Sequence, residues 1–352
     1  MAKIDPHELE LKAPKLAAIV AELRHDVVSG KFKPGMRLPT RDELKVRFDT
    51  SLTTVQKACA ILTHEGFLVS SKTGTTVAKR PPHLTNYGIV VPRGSSALSP
   101  FCEAAKEVIE SNNCKCVIYD DVDPEHSSGD YRRVLSDMCA QRLAGIIIAD
   151  WPERLYDDAI LKVPDVPKIS HIARPGVRTT PRAVCMLRDV HLSIKKAIGW
   201  LAEQGATRLA FINHFMPAPV LFNAIRQSAQ DFGMQMSDDW THFVAPEGGK
   251  NIITLMMRLP KKQRPDGIFI GDRHLADAVA DGLHAAGLRD GIDIHVITYA
   301  DMPKEAGIPF KRIGWDMRES ARTCLDLIDR QRRGEKVPSE ITFPPILDHE
   351  AK

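Results

Sequence analysis

Two groups of residues in this sequence are of types that could do chemistry. The first is a basic excess: residues 1 to 80 hold 14 Lys and Arg against 9 Asp and Glu, whereas the remainder holds 34 against 36. A local surplus of that kind is the footprint of polyanion binding. The second is a set of polar and planar side chains at the ends of short apolar runs: Arg93, Asp120, Asp150, Trp151, His171, Arg174, Asp189, His214, Arg273, Tyr299 and Trp315. Charged groups bond hydroxyls and flat rings stack on sugar faces, so such a set suits a carbohydrate cleft, although the same side chains also pack without any ligand. Catalytic chemistry is not indicated. No GxGxxG follows an early strand, and neither a P-loop lysine motif nor a Gly-x-Ser-x-Gly elbow occurs. The seven cysteines form no CxxC pair and no Cys/His cluster at metal spacing, so they read as reduced core residues, and no metal or cofactor is expected.

The elements that must position the first group are legible. Pro14 suits a first helical position, and Leu16, Ile19, Val20, Leu23 and Val27 follow on one helical face until Gly30. Thr40 with Glu43 is a capping box opening a second helix, with Leu44 and Phe48 on its buried side. A third helix starts near Ser51. Its inner stripe is Val55, Ala58, Cys59 and Leu62, leaving Leu52, Thr53, Gln56, Lys57 and Ala60 outward. After Gly66, Phe67-Leu68-Val69 and Thr75-Thr76-Val77 make two short strands around a turn. Three helices and a hairpin predict a winged helix.

This region resembles the DNA-binding domain of the GntR family of bacterial regulators. The matching residues are Ser29-Gly30, Pro34-Gly35, Leu38-Pro39-Thr40, Glu43-Leu44, Ser51, Thr53-Thr54-Val55, Ala58, Leu62, Glu65-Gly66, Gly74-Thr75 and Val77. The resemblance implies that the third helix enters the major groove of double-stranded DNA while the wing approaches the minor groove. Thr53, Thr54, Gln56 and Lys57 are then the reading residues, Lys72 and Gly74 belong to the wing, and Arg41 and Lys72 contact phosphates. Three family residues are changed: Leu52 and Gln56 stand where arginines are usual, and Lys72 replaces the first wing glycine.

Pro81 and Pro82 suggest that residues 79–86 form an extended linker. Beyond it, Gly88–Val91, Cys116–Tyr119, Gly145–Ile148, Leu209–Ile212, Gly267–Ile270 and Ile294–Ile297 alternate with helical stretches. That alternation predicts an α/β domain of parallel sheets over residues 87–352. Their order and spacing resemble the effector domain of the LacI/GalR family, which is similar to two-lobed periplasmic sugar-binding proteins. The segments Ser99-Pro100-Phe101, Gly205–Ile212, Pro265–Asp272 and Phe343–Leu347 carry the likeness. It implies that Asp272 accepts sugar hydroxyls, that Phe101 stands near a cleft mouth, and that Asp316 lies near a crossover between lobes; Arg273 and Trp315 complete the expected effector site. Gly271 stands where an asparagine is expected, and Leu221 or Phe222 where a ligand-binding arginine is usual. A GntR-type winged helix on a LacI-type sensor is the architecture of the arabinose-operon repressor class.

The sequence therefore predicts a non-enzymatic transcriptional regulator: a reading module over 1–78, a linker over 79–86, and an effector-binding and dimerisation domain over 87–352. Its expected partners are an operator, a small effector of sugar or non-sugar type, and a second copy of itself. The N-terminal residues lack the apolar run of a signal peptide and no membrane span follows, so a cytoplasmic location is expected. Of the rival readings, an enzyme domain fused to the winged helix lacks a nucleotide motif or a matching pyridoxal-lysine context, and a transport-type binding protein would not carry a winged helix.

Overall fold

Pro14 begins the first helix, α1 (Pro14–Val28), at the position where a missing N–H costs nothing. This is a computed structural model, which describes residues 13–125, 129–149, 155, 158–171, 183–302 and 307–350. Thr40 caps α2 (Arg41–Arg47) in a full capping box, and Ser51 caps α3 (Leu52–His64) by accepting from the Thr54 amide. The strands β1 (Leu68–Ser71) and β2 (Gly74–Val77) pair antiparallel as the wing. Leu16, Val20, Leu23, Leu44, Val55, Leu62 and Phe67 close a core between them. Full burial of each such side chain is worth about 1.5–3 kcal/mol, which holds α3 rigidly on its scaffold.

The chain then divides into two compact units. The first contains Met1–Cys102, Lys106–Cys185 and Thr323–Glu340; the second contains Glu103–Ala105, Met186–Arg322 and Ile341–Lys352. The winged helix belongs to the first unit together with an α/β lobe. Here the expected extended linker is replaced by something tighter. Pro81 and Pro82 are buried, and Pro82 is the first residue of a one-turn helix, α4 (Pro82–Thr85), which runs directly into β3 (Asn86–Pro92). Proline's fixed φ favours that helical start as readily as an extended spacer.

The first lobe's elements are β3, α5 (Pro100–Ser111), β4 (Lys115–Val122), α6 (Gly129–Cys139), β5 (Gly145–Ile148), α7 (Ala159–Lys162), β6 (Lys168–His171) and β7 (Val184–Arg188). The second lobe's are α8 (Val190–Glu203), β8 (Arg208–Asn213), α9 (Pro219–Asp231), β9 (Gln235–Phe243), α10 (Pro246–Met257), β10 (Gly267–Ile270), α11 (Ala276–Ala285), β11 (His295–Tyr299) and β12 (Lys311–Gly314). Helix α12 (Met317–Arg332), β13 (Glu340–Phe343) and β14 (Ile346–Leu347) end the chain. The two six-stranded sheets have the orders β13-β7-β6-β5-β3-β4 and β14-β12-β11-β10-β8-β9. Neighbours β4, β3, β5 and β6 run parallel, as do β9, β8, β10, β11 and β12. Buried runs such as Ile146-Ile147-Ile148 and Ile268-Phe269-Ile270 fill both sheets. Of the cysteines expected in the core, Cys139 is exposed and Cys114 and Cys116 are half-buried; the other four are buried.

Candidate nucleic-acid interface and effector cavity

Helix α3 buries Val55, Ala58, Cys59, Ile61 and Leu62. That leaves Thr53, Gln56 and Lys57 exposed on its opposite side, where a groove could be read. Thr54 is half-buried and its hydroxyl lies 2.9 Å from that of Ser51, so part of its hydrogen-bonding capacity belongs to the cap. In the wing, Ser71 donates to the Gly74 carbonyl and accepts from the Thr73 amide, which fixes the turn and leaves Lys72 exposed at its tip. Gly74 has φ +139, and a Cβ there would meet the Arg37 guanidinium at 2.8 Å. Only glycine fits this turn. Arg37, which sequence reasoning passed over, donates to the Thr73 carbonyl and so braces the wing from below. Arg41 is exposed at the start of α2.

The cations of the winged helix fall into two classes. Arg24, Lys31 and Arg47 are held by Glu65, Asp26 and Glu22. Arg41, Lys57 and Lys72 have no ion-pair partner among the described residues. Held cations maintain the fold, whereas free ones are available to phosphates, where they displace condensed counterions.

In the second lobe, the carboxyl ends of β10, β11 and β12 border a cavity of about 470 Å³ lined by Asp272, Arg273, Tyr299, Asp301, Trp315 and Arg188 among others. Ligands of parallel α/β sheets bind at this end of the strands. Asp272 accepts from the His274 amide at 3.0 Å, and its other oxygen lies 3.8 Å from His214 Nδ1. Trp315 is buried, donates to the Phe343 carbonyl at 3.1 Å, and lies parallel to the Tyr299 ring at 6.0 Å. The Arg188 guanidinium sits 4.7 Å above the Trp315 ring and pairs with Asp301 at 2.9 Å. Its Nε is buried with no hydrogen-bond partner among the described residues, a cost that a ligand oxygen would relieve. Arg188 and Asp301 were missed in the sequence. The signal available for Arg188 was an apolar run, Val184–Leu187, ending in a cation.

The two family positions that differ have local explanations. A Cβ on Gly271 would come within 2.9 Å of the Asn213 side-chain oxygen and 3.0 Å of the Phe211 ring, so a residue of the neighbouring strand already fills that space. Leu221 and Phe222 of α9 pack on the lobe's core, with Phe222 against Phe211 and Phe243, and neither lines the cavity. Asp316 also lies outside the lining: its carboxylate caps α12 by accepting from the Arg318 and Glu319 amides at 2.9 and 3.0 Å. Phe101 belongs to the first unit, where it is 3% exposed and stacked on His171 at 3.5 Å. Asp150, Trp151 and Arg174 lie outside the described residues. Among the described residues no group of His, Cys, Asp or Glu is arranged to hold a metal, and no helix is long and apolar enough to cross a membrane.

Residues 15–77 match the family described as bacterial regulatory proteins, gntR family. The chain carries a gntR-type DNA-binding module and is a transcriptional regulator. The rest has the fold of LacI-family regulators. One from Lactobacillus casei, with bound glucose, shares 22% identity over 75% of this chain and 97% of that chain with a TM-score of 0.51. Another from Chloroflexus aggregans shares 15% over 74% and 96% with a TM-score of 0.55. A third, from Arthrobacter sp. FB24 in complex with lactose, shares 19% over 75% and 97% with a TM-score of 0.54. No curated protein sequence matches the chain significantly. The gntR-type module thus sits on an α/β fold like that of LacI-family regulators, and Glu65 and Gly74 are motif residues whose structural roles are visible.

Proposed function

We propose that this regulator is a repressor that binds an inverted-repeat operator as a homodimer and is controlled by a sugar or sugar derivative held in the second lobe. Residues 1–78 read DNA, residues 87–352 sense the effector and dimerise, and the protein acts in the cytoplasm without catalysis. The observation that carries the effector reading is the convergence of Asp272, Arg273 and the Arg188–Asp301 pair around Trp315 at the carboxyl ends of parallel strands. Carboxylates and guanidinium groups satisfy hydroxyls while the aromatic rings cover an apolar sugar face. Glucose- and lactose-bound regulators of the same fold support this chemistry. With Leu221 and Phe222 packed away, Arg188 is the cation that takes the ligand-facing role.

The test is a thermal-shift screen over sugars and sugar acids, since a ligand that binds only the folded state raises the melting temperature. It is followed by affinity for DNA upstream of the regulator's own gene, with and without the hit, for wild type and Asp272→Ala. Losing one charged hydrogen-bonding group costs about 1.5–3 kcal/mol, so the variant's effector response should fall by roughly ten- to a hundredfold while ligand-free DNA binding persists. A normal response removes Asp272 from the site; loss of DNA binding overturns the separation of sensing from reading.

A further inference from the structure

The first unit contains a second, larger cavity of about 890 Å³, which shares no residue with the one above. Its wall is built from Val28 at the end of α1, His83 and Leu84 of α4, the turn before β5, the segment between α7 and β6, and the last turn of α12 with Arg333 beyond it. It therefore lies where the reading module meets the sensor's first lobe. Four cations, Lys162, Lys168, Arg332 and Arg333, line it against a single carboxylate, Asp165. Part of that charge is taken up: Asp329 accepts from Arg332 Nη1 at 3.0 Å, Glu335 pairs with Arg333 Nε, and Lys162 and Lys168 have further partners of their own. Arg332 also donates through Nη1 to the Leu84 carbonyl, leaving its Nη2 and Nε without a partner among the described residues. Lys168 is 4% exposed and donates to the carbonyls of Val163 and Val166, so it shapes the segment before β6. The His83 Nδ1 is buried without a partner among the described residues.

A hollow with this balance favours an anion, and its size is that of a small-ligand site. Open guanidinium donors, and the His83 ring in the tautomer that carries its proton on Nδ1, are complementary to oxygen acceptors, and arginine forks match phosphate or carboxylate geometry. We propose that this cavity is an additional regulatory site for a small multivalent oxyanion, such as a phosphorylated metabolite, whose binding fastens the winged helix to the first lobe and so changes DNA affinity. Only the DNA readout depends on the regulator reading above; binding is measured without it.

Full-length protein is titrated by calorimetry with pyrophosphate, inorganic phosphate and citrate at constant ionic strength. Saturable binding of pyrophosphate is expected, weakened about tenfold or more in Lys162→Gln/Arg333→Gln and unchanged in Lys57→Ala/Lys72→Ala. Citrate binding as well would show that charge and size alone select the ligand; phosphate compounds alone would identify a phosphorylated source. The exposed positions of the double variant spare the core, and Arg332→Lys, which keeps the charge but loses the fork, provides a second variant and should weaken pyrophosphate more than citrate. Absence of saturable binding by all three anions, or binding lost in Lys57→Ala/Lys72→Ala but kept in Lys162→Gln/Arg333→Gln, overturns the proposal. If binding holds but DNA affinity is indifferent to the bound anion, the regulatory part is wrong.

Discussion

Glu65 closes α3 and is also where the reading module grips the first α/β lobe, which makes it the most informative residue to change. Its carboxylate accepts from Arg24 Nη2 at 3.0 and 2.8 Å, and Arg142 Nη1 of the lobe approaches to 3.4 Å. Arg142 is itself steadied by Asp137 at 2.9 Å and Ser136 at 3.0 Å. The side chains of Glu65 and Arg24 are 4% and 7% exposed, so water does little to screen them. Glu65→Ala would take the shared carboxylate away from both guanidinium groups while Arg142 keeps Asp137, and removing one partner of a buried pair costs about 3–5 kcal/mol. Glu65→Gln keeps the shape and one acceptor, and should cost about 1.5–3 kcal/mol, the worth of a charge-assisted bond. Tryptophan fluorescence cannot report this, because all four tryptophans lie beyond residue 150. Hydrogen exchange read on peptides covering 52–65 and 136–143 can. Both peptides should lose protection together in Glu65→Gln, and Arg142→Gln should produce the lobe-side part alone, with a coupling term in the double variant. Protection within about 0.5 kcal/mol of wild type in both peptides would refute the reasoning, since changes of that size are ordinary for surface positions.

Other expectations follow from particular contacts. Lys57→Ala and Lys72→Ala should each weaken binding to every DNA sequence and lower the slope of log affinity against log salt by about one, measured by fluorescence anisotropy, while Gln56→Ala should change base preference instead. Gly271→Ala should push Asn213 and Phe211 apart, cost about 1–3 kcal/mol in melting experiments and blunt the effector response by displacing Asp272. Burial alone would raise the Asp26 carboxyl, but hydrogen bonds and charge from Arg47 and Lys31 outweigh it and hold the group below its ordinary value. A lowered carboxylate contributes stability that is complete above the unfolded value of about 3.9 and disappears as pH falls through the folded one. The winged helix should therefore loosen below about pH 4, and Asp26→Asn should flatten that dependence in acid-unfolding curves followed by exchange in α1.

How much of this was legible depended on how each element buries its residues. Helices α1 to α3 announced themselves because their caps and apolar faces are local, and β3, β4, β5, β8, β10 and β11 because a strand buried on both faces must be an apolar run. Strand β6 hid behind Lys-Ile-Ser-His: Lys168 and His171 are buried there, the lysine held by neighbouring carbonyls that no sequence pattern reveals. Strand β9 hid for the opposite reason. It lies at the edge of its sheet, where Ser237, Asp238 and Asp239 can face water. The cavity residues followed the same division. Asp272 follows β10, a run that could be read, whereas Trp315 follows the short, half-polar β12 and the pairing of Arg188 with Asp301 spans 113 residues. Pairings of that range come from topology alone.

The absence of a loose tether changes what effector control must look like. With a flexible linker, ligand binding in a sensor could alter DNA affinity only by changing how far apart two tethered modules can reach. Here α4 begins within two buried prolines, His83 stacks on Phe67 at 5.8 Å, and Glu65 is pinned from both sides, so the winged helix and the first lobe belong to one compact unit. In the proposed dimer, a reorientation of that lobe would carry α3 with it, and the two reading helices would be respaced as rigid bodies. The effector's leverage is limited to its differential affinity for the two arrangements, typically about 1–3 kcal/mol. That leverage reaches the DNA undiminished only while the Glu65 contact is stiffer than the equilibrium it transmits. Weakening the contact should therefore reduce effector response before it reduces DNA binding, the reverse of what a variant of the reading helix would do.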